Sequence, residues 1–139
     1  MTRLLAGLAI LMVLATSASA SLLRIELTKA THAKSPVKYA VKTEKVGELV
    51  VVTFELPRKQ TPLDHLWRID VVLRKGKGTL LSAPLETKID GAGTVTAQII
   101  LDPSVVKDAE IWIRTGERAP LAETVYAINV GSFHTTTKP

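Results

Sequence analysis

Hydrophobic and polar residues alternate with a period of two over most of the chain from Leu22 onward. In residues 50–56 an apolar side chain recurs at every second position, and residues 95–101 repeat the pattern. A strand with one face in a core and the other in solvent has this period, whereas an amphipathic helix has a period of about 3.6. The pattern therefore predicts an all-β chain without a long amphipathic helix.

Turn-forming residues separate the alternating segments at short intervals. The main predicted strands cover residues 22–27, 37–42, 50–56, 67–74, 79–83, 94–101, 109–114 and 125–130, with a further short segment at 85–89. Residues 57–65, 74–78 and 116–120 are predicted as loops because they carry glycine or proline. Residues 102–107 are predicted as one helical turn, with Asp102 as its cap and Pro103 at its first position.

The number and spacing of these segments predict the architecture. Short strands at this spacing are typical of a single antiparallel Greek-key β-sandwich, here of about seven strands. The chain of 139 residues has the length of one domain. We expect the sandwich to span residues 21–133 and residues 134–139 to form a flexible tail.

Two features resemble immunoglobulin-like and fibronectin type III-like domains. Residues 108–113, Asp-Ala-Glu-Ile-Trp-Ile, are similar to the entry into strand F of such domains, and Trp67 stands where their strand C carries a core tryptophan. The resemblance implies a sandwich whose strands C and F pair in one sheet. The paired cysteines of the family are absent, and Ile111 stands in the place of its corner tyrosine.

The first twenty residues predict export. Arg3 precedes an uninterrupted apolar run over residues 4–15, and Ala18-Ser19-Ala20 has the small-residue pattern of a cleavage site. The run is too short for a membrane span of ~20 residues. We expect residues 1–20 to be a cleaved signal peptide, no transmembrane segment in the mature chain, and a periplasmic or secreted protein.

Composition removes several classes of site. The chain contains no cysteine, which excludes disulfides, a cysteine nucleophile and a thiolate zinc site. The core alone must therefore stabilise an exported fold of this kind. No phosphate-binding loop, nucleophile elbow or zinc-protease motif occurs in the sequence.

Two arrangements of polar residues could still carry chemistry. Carboxylates at Asp64, Asp70, Asp102 and Asp108 could serve a hydrolase, but capping and corner roles account for Asp102 and Asp108. The three histidines of the chain, in predicted loops and the tail, could together bind copper or zinc; they are His32, His65 and His134. The alternative function is therefore that of a small periplasmic metal carrier. We expect neither a cofactor nor enzymatic activity.

The most informative residue is Trp112. Alternation places Ile111 and Ile113 in the core and Trp112 on the opposite face. If strands C and F pair, charged residues of both surround its ring, as at protein-interaction hot spots. These residues are Arg68, Asp70, Arg74, Glu110 and Arg114. An arginine stacked on Trp112, a cross-strand charge ladder and a core position for Trp112 are the structural alternatives.

A second candidate surface is the basic turn that follows residue 73. Arg74, Lys75 and Lys77 could make a weak contact with polyanions, or could simply keep a hairpin tip soluble. No aromatic residue interleaves them, so we expect no nucleic-acid binding. The sequence predicts a protein-interaction or structural module whose partner is another exported or surface protein.

Overall fold

The computed structural model describes residues 21–134 and is built almost entirely of strands. The predicted signal peptide and residues 135–139 of the predicted tail lie outside the described residues. The described part contains nine strands: β1 (Ser21–Leu27), β2 (Ala40–Val46), β3 (Leu49–Pro57), β4 (Leu66–Lys75), β5 (Gly78–Pro84), β6 (Lys88–Ile89), β7 (Thr94–Leu101), β8 (Ala109–Arg118) and β9 (Ala122–Asn129). The all-β prediction is confirmed.

The strands form two sheets. One has five strands in the order β1-β9-β8-β4-β5, and the other has four in the order β2-β3-β7-β6. All neighbouring strands run antiparallel except β1 and β9, which are parallel over the whole of β1. The expectation of a purely antiparallel arrangement therefore needs this one correction.

Buried apolar side chains from both sheets form one core. Val50, Val52, Phe54 and Leu56 of β3 are fully buried, as their alternation predicts, and β8 contributes Ile111 and Ile113 along with residues of β7 and β9. Burial of such side chains stabilises the fold by about 1.5–3 kcal/mol each relative to exposure.

The helical turn predicted for residues 102–107 is present. A 3₁₀ helix spans Pro103–Asp108, and the Asp102 carboxylate accepts a hydrogen bond of 2.9 Å from the Ser104 amide. The Ser104 hydroxyl also donates to this carboxylate, and these bonds lower the pKa of Asp102. Further 3₁₀ turns cover His32–Lys34, Thr61–Leu63 and Val130–Phe133.

Two local predictions are wrong. Trp67 is not a core residue, because the register of β4 against β8 shifts between Leu66 and Arg68 and places its side chain 41% exposed. Residues 116–118 belong to β8 rather than to a loop, although the pairing with β9 is irregular there. Both deviations are bulge-like irregularities that alternation cannot reveal.

No helix in residues 21–134 combines the length and the apolar character needed to cross a membrane.

Tyr39 belongs to the core and takes part in a small aromatic cluster. Its ring stacks on His32 at 4.5 Å between centroids and meets the edge of Phe133 at 5.9 Å. Its hydroxyl is buried without a hydrogen-bond partner among the described residues. Burial raises the pKa of Tyr39 to about 12.

We expect Tyr39→Phe to leave the free energy of unfolding at neutral pH unchanged or slightly higher, because the substitution removes an unpartnered hydroxyl. In alkali the wild type should lose stability from about pH 10, where the unfolded tyrosine ionises, up to about pH 12, where the folded one does. Urea unfolding of both proteins across this pH range measures the difference in their free energies of unfolding. Both proteins retain Tyr126, so its contribution is common to the two profiles. Parallel pH profiles of the two proteins would contradict this account.

Candidate binding face of the five-stranded sheet

The residues predicted around Trp112 lie on the side of the five-stranded sheet that faces away from the core. Cross-strand registry arranges this outer face in three rows, which run from β1 or β9 through β8 to β4. The rows are Arg24–Val125–Arg114–Arg68, Glu26–Ala127–Trp112–Asp70 and Asn129–Glu110–Val72. We call these residues the outer face, together with Arg74 of β4, whose Nη1 lies 3.6 Å from Oε1 of Glu110.

The outer face has a buried apolar layer of its own. Val72, Val125 and Ala127 are almost completely buried although they do not belong to the core cluster between the sheets. Their neighbours across the strands are long charged or aromatic side chains. The aliphatic stems of arginines and the ring of Trp112 therefore cover these small residues.

Asp70 is the one fully buried carboxylate of this face, with 0% of its surface exposed. It accepts a hydrogen bond of 2.6 Å from Nε of Arg68 and one of 3.2 Å from Nη1 of Arg114. A buried carboxylate requires such partners because desolvation of an unpaired charge is very costly.

Arg114 continues the network towards β9. Its Nε donates to Oε2 of Glu123 at 3.2 Å, and the same oxygen accepts a bond of 3.0 Å from Nε1 of Trp67. The guanidinium lies over the Trp67 ring, 4.8 Å from its centroid. The hydrogen bond to Glu123 is the largest of the effects that raise the pKa of Arg114.

A second network surrounds Glu110. Nη2 of Arg24 donates to both carboxylate oxygens at 3.0 and 2.9 Å, and Nε1 of Trp112 donates to Oε1 at 2.9 Å. Arg74 approaches the same carboxylate at 3.6 Å. The Arg24 guanidinium also lies 5.2 Å from the centroid of the half-buried Trp112 ring.

The two networks repeat one arrangement. In each, a carboxylate accepts a hydrogen bond from a tryptophan and from an arginine that stacks on that same tryptophan. The carboxylates of these networks already accept hydrogen bonds from cations, so they are poorly suited to act as general bases. The arrangement is suited to rigid presentation of aromatic and guanidinium groups.

The structure brings six of the eight predicted site residues together on the outer face. They are Arg68, Asp70, Arg74, Glu110, Trp112 and Arg114. Lys75 and Lys77 lie apart from them, exposed at the turn between β4 and β5. Of the structural alternatives, an arginine stacked on Trp112 is present, and a core position for Trp112 is wrong.

Three residues of the networks escaped prediction. Arg24 reaches the face through the parallel pairing of β1 with β9, a contact between distant parts of the chain. Trp67 reaches it through the irregularity in β4, and Glu123 follows the stretch predicted as a loop. For Glu123, the alternation of residues 122–129 could have shown that the last strand begins before this residue.

The histidines of the alternative metal site do not converge. His65 precedes β4 and its carbonyl accepts from the Gly116 amide, at the end of the sheet where β1 begins. His32 and His134 follow β1 and β9 at the opposite end, and His134 contacts Thr43 instead. Residues 21–134 contain no group of three or more potential metal-ligating histidine, aspartate or glutamate side chains.

We expect Trp112→Ala to lower the free energy of unfolding by about 2–3 kcal/mol, because it uncovers the small apolar residues beneath the ring. Trp67→Ala should cost about 1 kcal/mol, since Trp67 is more exposed and covers less. Urea unfolding with unchanged m-values measures both. An equal or larger loss in Trp67→Ala would overturn the assignment of Trp112 as the covering residue.

Gly116 allows β9 to approach β8 beside Glu123. A Cβ at this position would lie 2.5 Å from the carbonyl oxygen of Ala122 and 3.0 Å from Cα of Glu123. Gly116→Ala should therefore destabilise the protein by about 1–3 kcal/mol. Gly91→Ala is the matched control, because nothing lies within 4 Å of its added Cβ. Thermal unfolding compares the two, and equal midpoints would refute the close approach.

Comparisons of the chain with protein-family models, with curated proteins and with solved structures found no match. The residues and geometry of this chain alone therefore support the function proposed below.

Proposed function

We propose that this protein is an exported, non-enzymatic interaction module with a Greek-key β-sandwich fold of immunoglobulin-like type. Its function is to bind an extended segment of another exported or surface protein at the free edge of β5. The outer face, including Trp112, Glu110 and Arg114, flanks this edge and contributes to recognition.

The order of the strands supports the sandwich. Four successive pairs in the chain, β1 and β2, β3 and β4, β5 and β6, and β7 and β8, change from one sheet to the other. Such crossings are typical of Greek-key sandwiches. The pairing of β4 with β8 agrees with the neighbouring strands C and F of immunoglobulin-like domains. The sequence of residues 1–20, a basic start followed by an apolar run, supports export.

The observation that carries the proposal is the character of β5. This seven-residue strand has no charged side chain, and six of its seven residues are exposed. Leu80 and Leu81 are 66% and 54% exposed. β5 pairs only with β4, so the backbone groups on its other side have no strand partner. An edge of this kind can accept a further strand by backbone hydrogen bonding.

The other three edges of the two sheets are better protected. β2 carries Lys42, Glu44 and Lys45, and β1 carries Arg24 and Glu26. β6 has only two residues, one of them Lys88. Charge and shortness are common ways to prevent edge-to-edge pairing. In β5 the comparable devices are Pro84 at the end of the strand and an irregularity in the pairing with β4 at Leu80.

Charge next to β5 indicates the chemistry of the partner. Lys75 and Lys77 lie exposed at the turn that leads into β5. Arg74 is held there by a hydrogen bond of 3.1 Å to the Lys77 carbonyl. A segment with apolar side chains opposite Leu80 and Leu81 and carboxylates towards this turn would complement both properties.

Peptide selection on the immobilised protein tests the proposal. We expect the selected peptides to combine alternating apolar residues with acidic ones. Leu80→Lys should weaken their binding, measured by calorimetry, at least tenfold, because it places a charge on the edge. Of two copies of the best peptide, each with one alternate set of backbone amides methylated, the copy whose methylated set faces β5 should not bind, since it cannot donate to that strand.

Ile100→Lys is the matched control. Ile100 is 65% exposed on β7, in the other sheet, so this variant loses an equally exposed apolar side chain and gains the same charge. It should bind the peptides like the wild type. Equal binding by Leu80→Lys, or full binding by both methylated peptides, would contradict strand addition at β5.

A further inference from the structure

A cleft of about 300 Å³ opens beside residues 66–69 of β4, just beyond the end of β5, and residues of both sheets line it. Leu66, Ile69 and Leu85 line it with aliphatic surface, and Arg58, Trp67 and Arg68 line it with cationic and aromatic groups. This volume is at the lower end of the range in which proteins bind small molecules, about 300–1,000 Å³.

The apolar side of the cleft is continuous with the core. Leu66, Ile69 and Leu85 are partly buried and pack against the core cluster, while Val95, which also lines the cleft, belongs to it. Their positions are fixed by pairing: Ile69 lies in β4, and its carbonyl accepts from the Leu85 amide at 2.8 Å. The cleft therefore offers a preformed aliphatic surface to an apolar group.

The polar side of the cleft is positively charged. Arg58 is exposed and forms no ion pair with a carboxylate of residues 21–134. Arg68 binds Asp70 through Nε, and its side chain remains 38% exposed. No acidic residue lines the cleft among the described residues. The guanidinium of Arg58, which has no ion pair with these residues, together with the exposed part of Arg68, favours an anion.

We propose that this cleft binds a small monocarboxylic acid with an aliphatic tail. The tail occupies the aliphatic side against Leu66 and Leu85, and the carboxylate binds the guanidinium of Arg58 next to that of Arg68. Trp67 lies at the mouth, where its ring contacts the ligand. This site adjoins the end of β5, where Pro84 lines it, but it does not include Leu80 and does not depend on strand addition at β5.

Octanoate is a suitable probe, with octanamide as its uncharged counterpart. Titration followed by amide NMR should shift the signals of Leu66, Ile69 and Leu85 while those of the distant β2 stay in place. Octanamide should bind at least tenfold more weakly, because it lacks the charge that the guanidinium groups recognise. Equal affinity of the two compounds, or octanoate shifts confined to other parts of the chain, would overturn the proposal.

Variants of Arg58 separate charge recognition from folding. Arg58→Gln should weaken octanoate binding about tenfold, the loss expected for one charge-assisted hydrogen bond. Arg58→Lys should retain part of the affinity, and Lys42→Gln, which removes an exposed charge from β2 and not from the lining of the cleft, should retain all of it. Unchanged binding by Arg58→Gln, with the fold verified by its NMR spectrum, would refute the site.

The variant Leu80→Lys distinguishes this site from the proposed function. It should leave octanoate binding intact whatever its effect on peptide binding. Octanoate binding that fails in Leu80→Lys, although the NMR spectrum shows the protein folded, would contradict a separate site.

Discussion

The buried carboxylate of Asp70 imposes the main constraint on the five-stranded sheet. A charge without solvent contact needs cationic donors close by, and two strands supply them: Arg68 from β4 itself and Arg114 from β8. Because Arg114 is fixed there, its other nitrogens meet Glu123, which in turn accepts from Trp67. The alternation of negative and positive side chains from Asp70 on β4 through Arg114 on β8 to Glu123 on β9 therefore starts from Asp70.

The outer face shows how a sheet can be covered without a second layer of secondary structure. Small apolar residues lie against the backbone, and long arginine side chains and an indole ring lie across them. Arginine suits this role because its stem is apolar and its planar head can both stack and donate several hydrogen bonds. The charged side chains of this face therefore already have hydrogen-bond partners. The edge strand β5 of the same sheet has backbone groups without a strand partner.

The sequence predicted correctly those features that depend on neighbouring residues along the chain. The alternation of β3 identified its core side chains, and Asp102 followed by proline identified the helical turn. Trp67 could not be placed, because a shift of register in β4 reverses the faces on either side of it. Arg24 could not be assigned to the site, because no local signal reports that β1 pairs with β9.

The parallel pairing of β1 with β9 has a consequence for the order of folding. β1 precedes all other described strands and β9 follows them, so this part of the sheet joins the two most distant segments of the described chain. The bond from Arg24 to Glu110 cannot form until synthesis has passed β8, and β1 has no strand partner until β9 exists. Closure of such distant contacts is slow because of its entropic cost. Synthesis must therefore pass β9 before this sheet can close, which leaves its first strand without a strand partner until then.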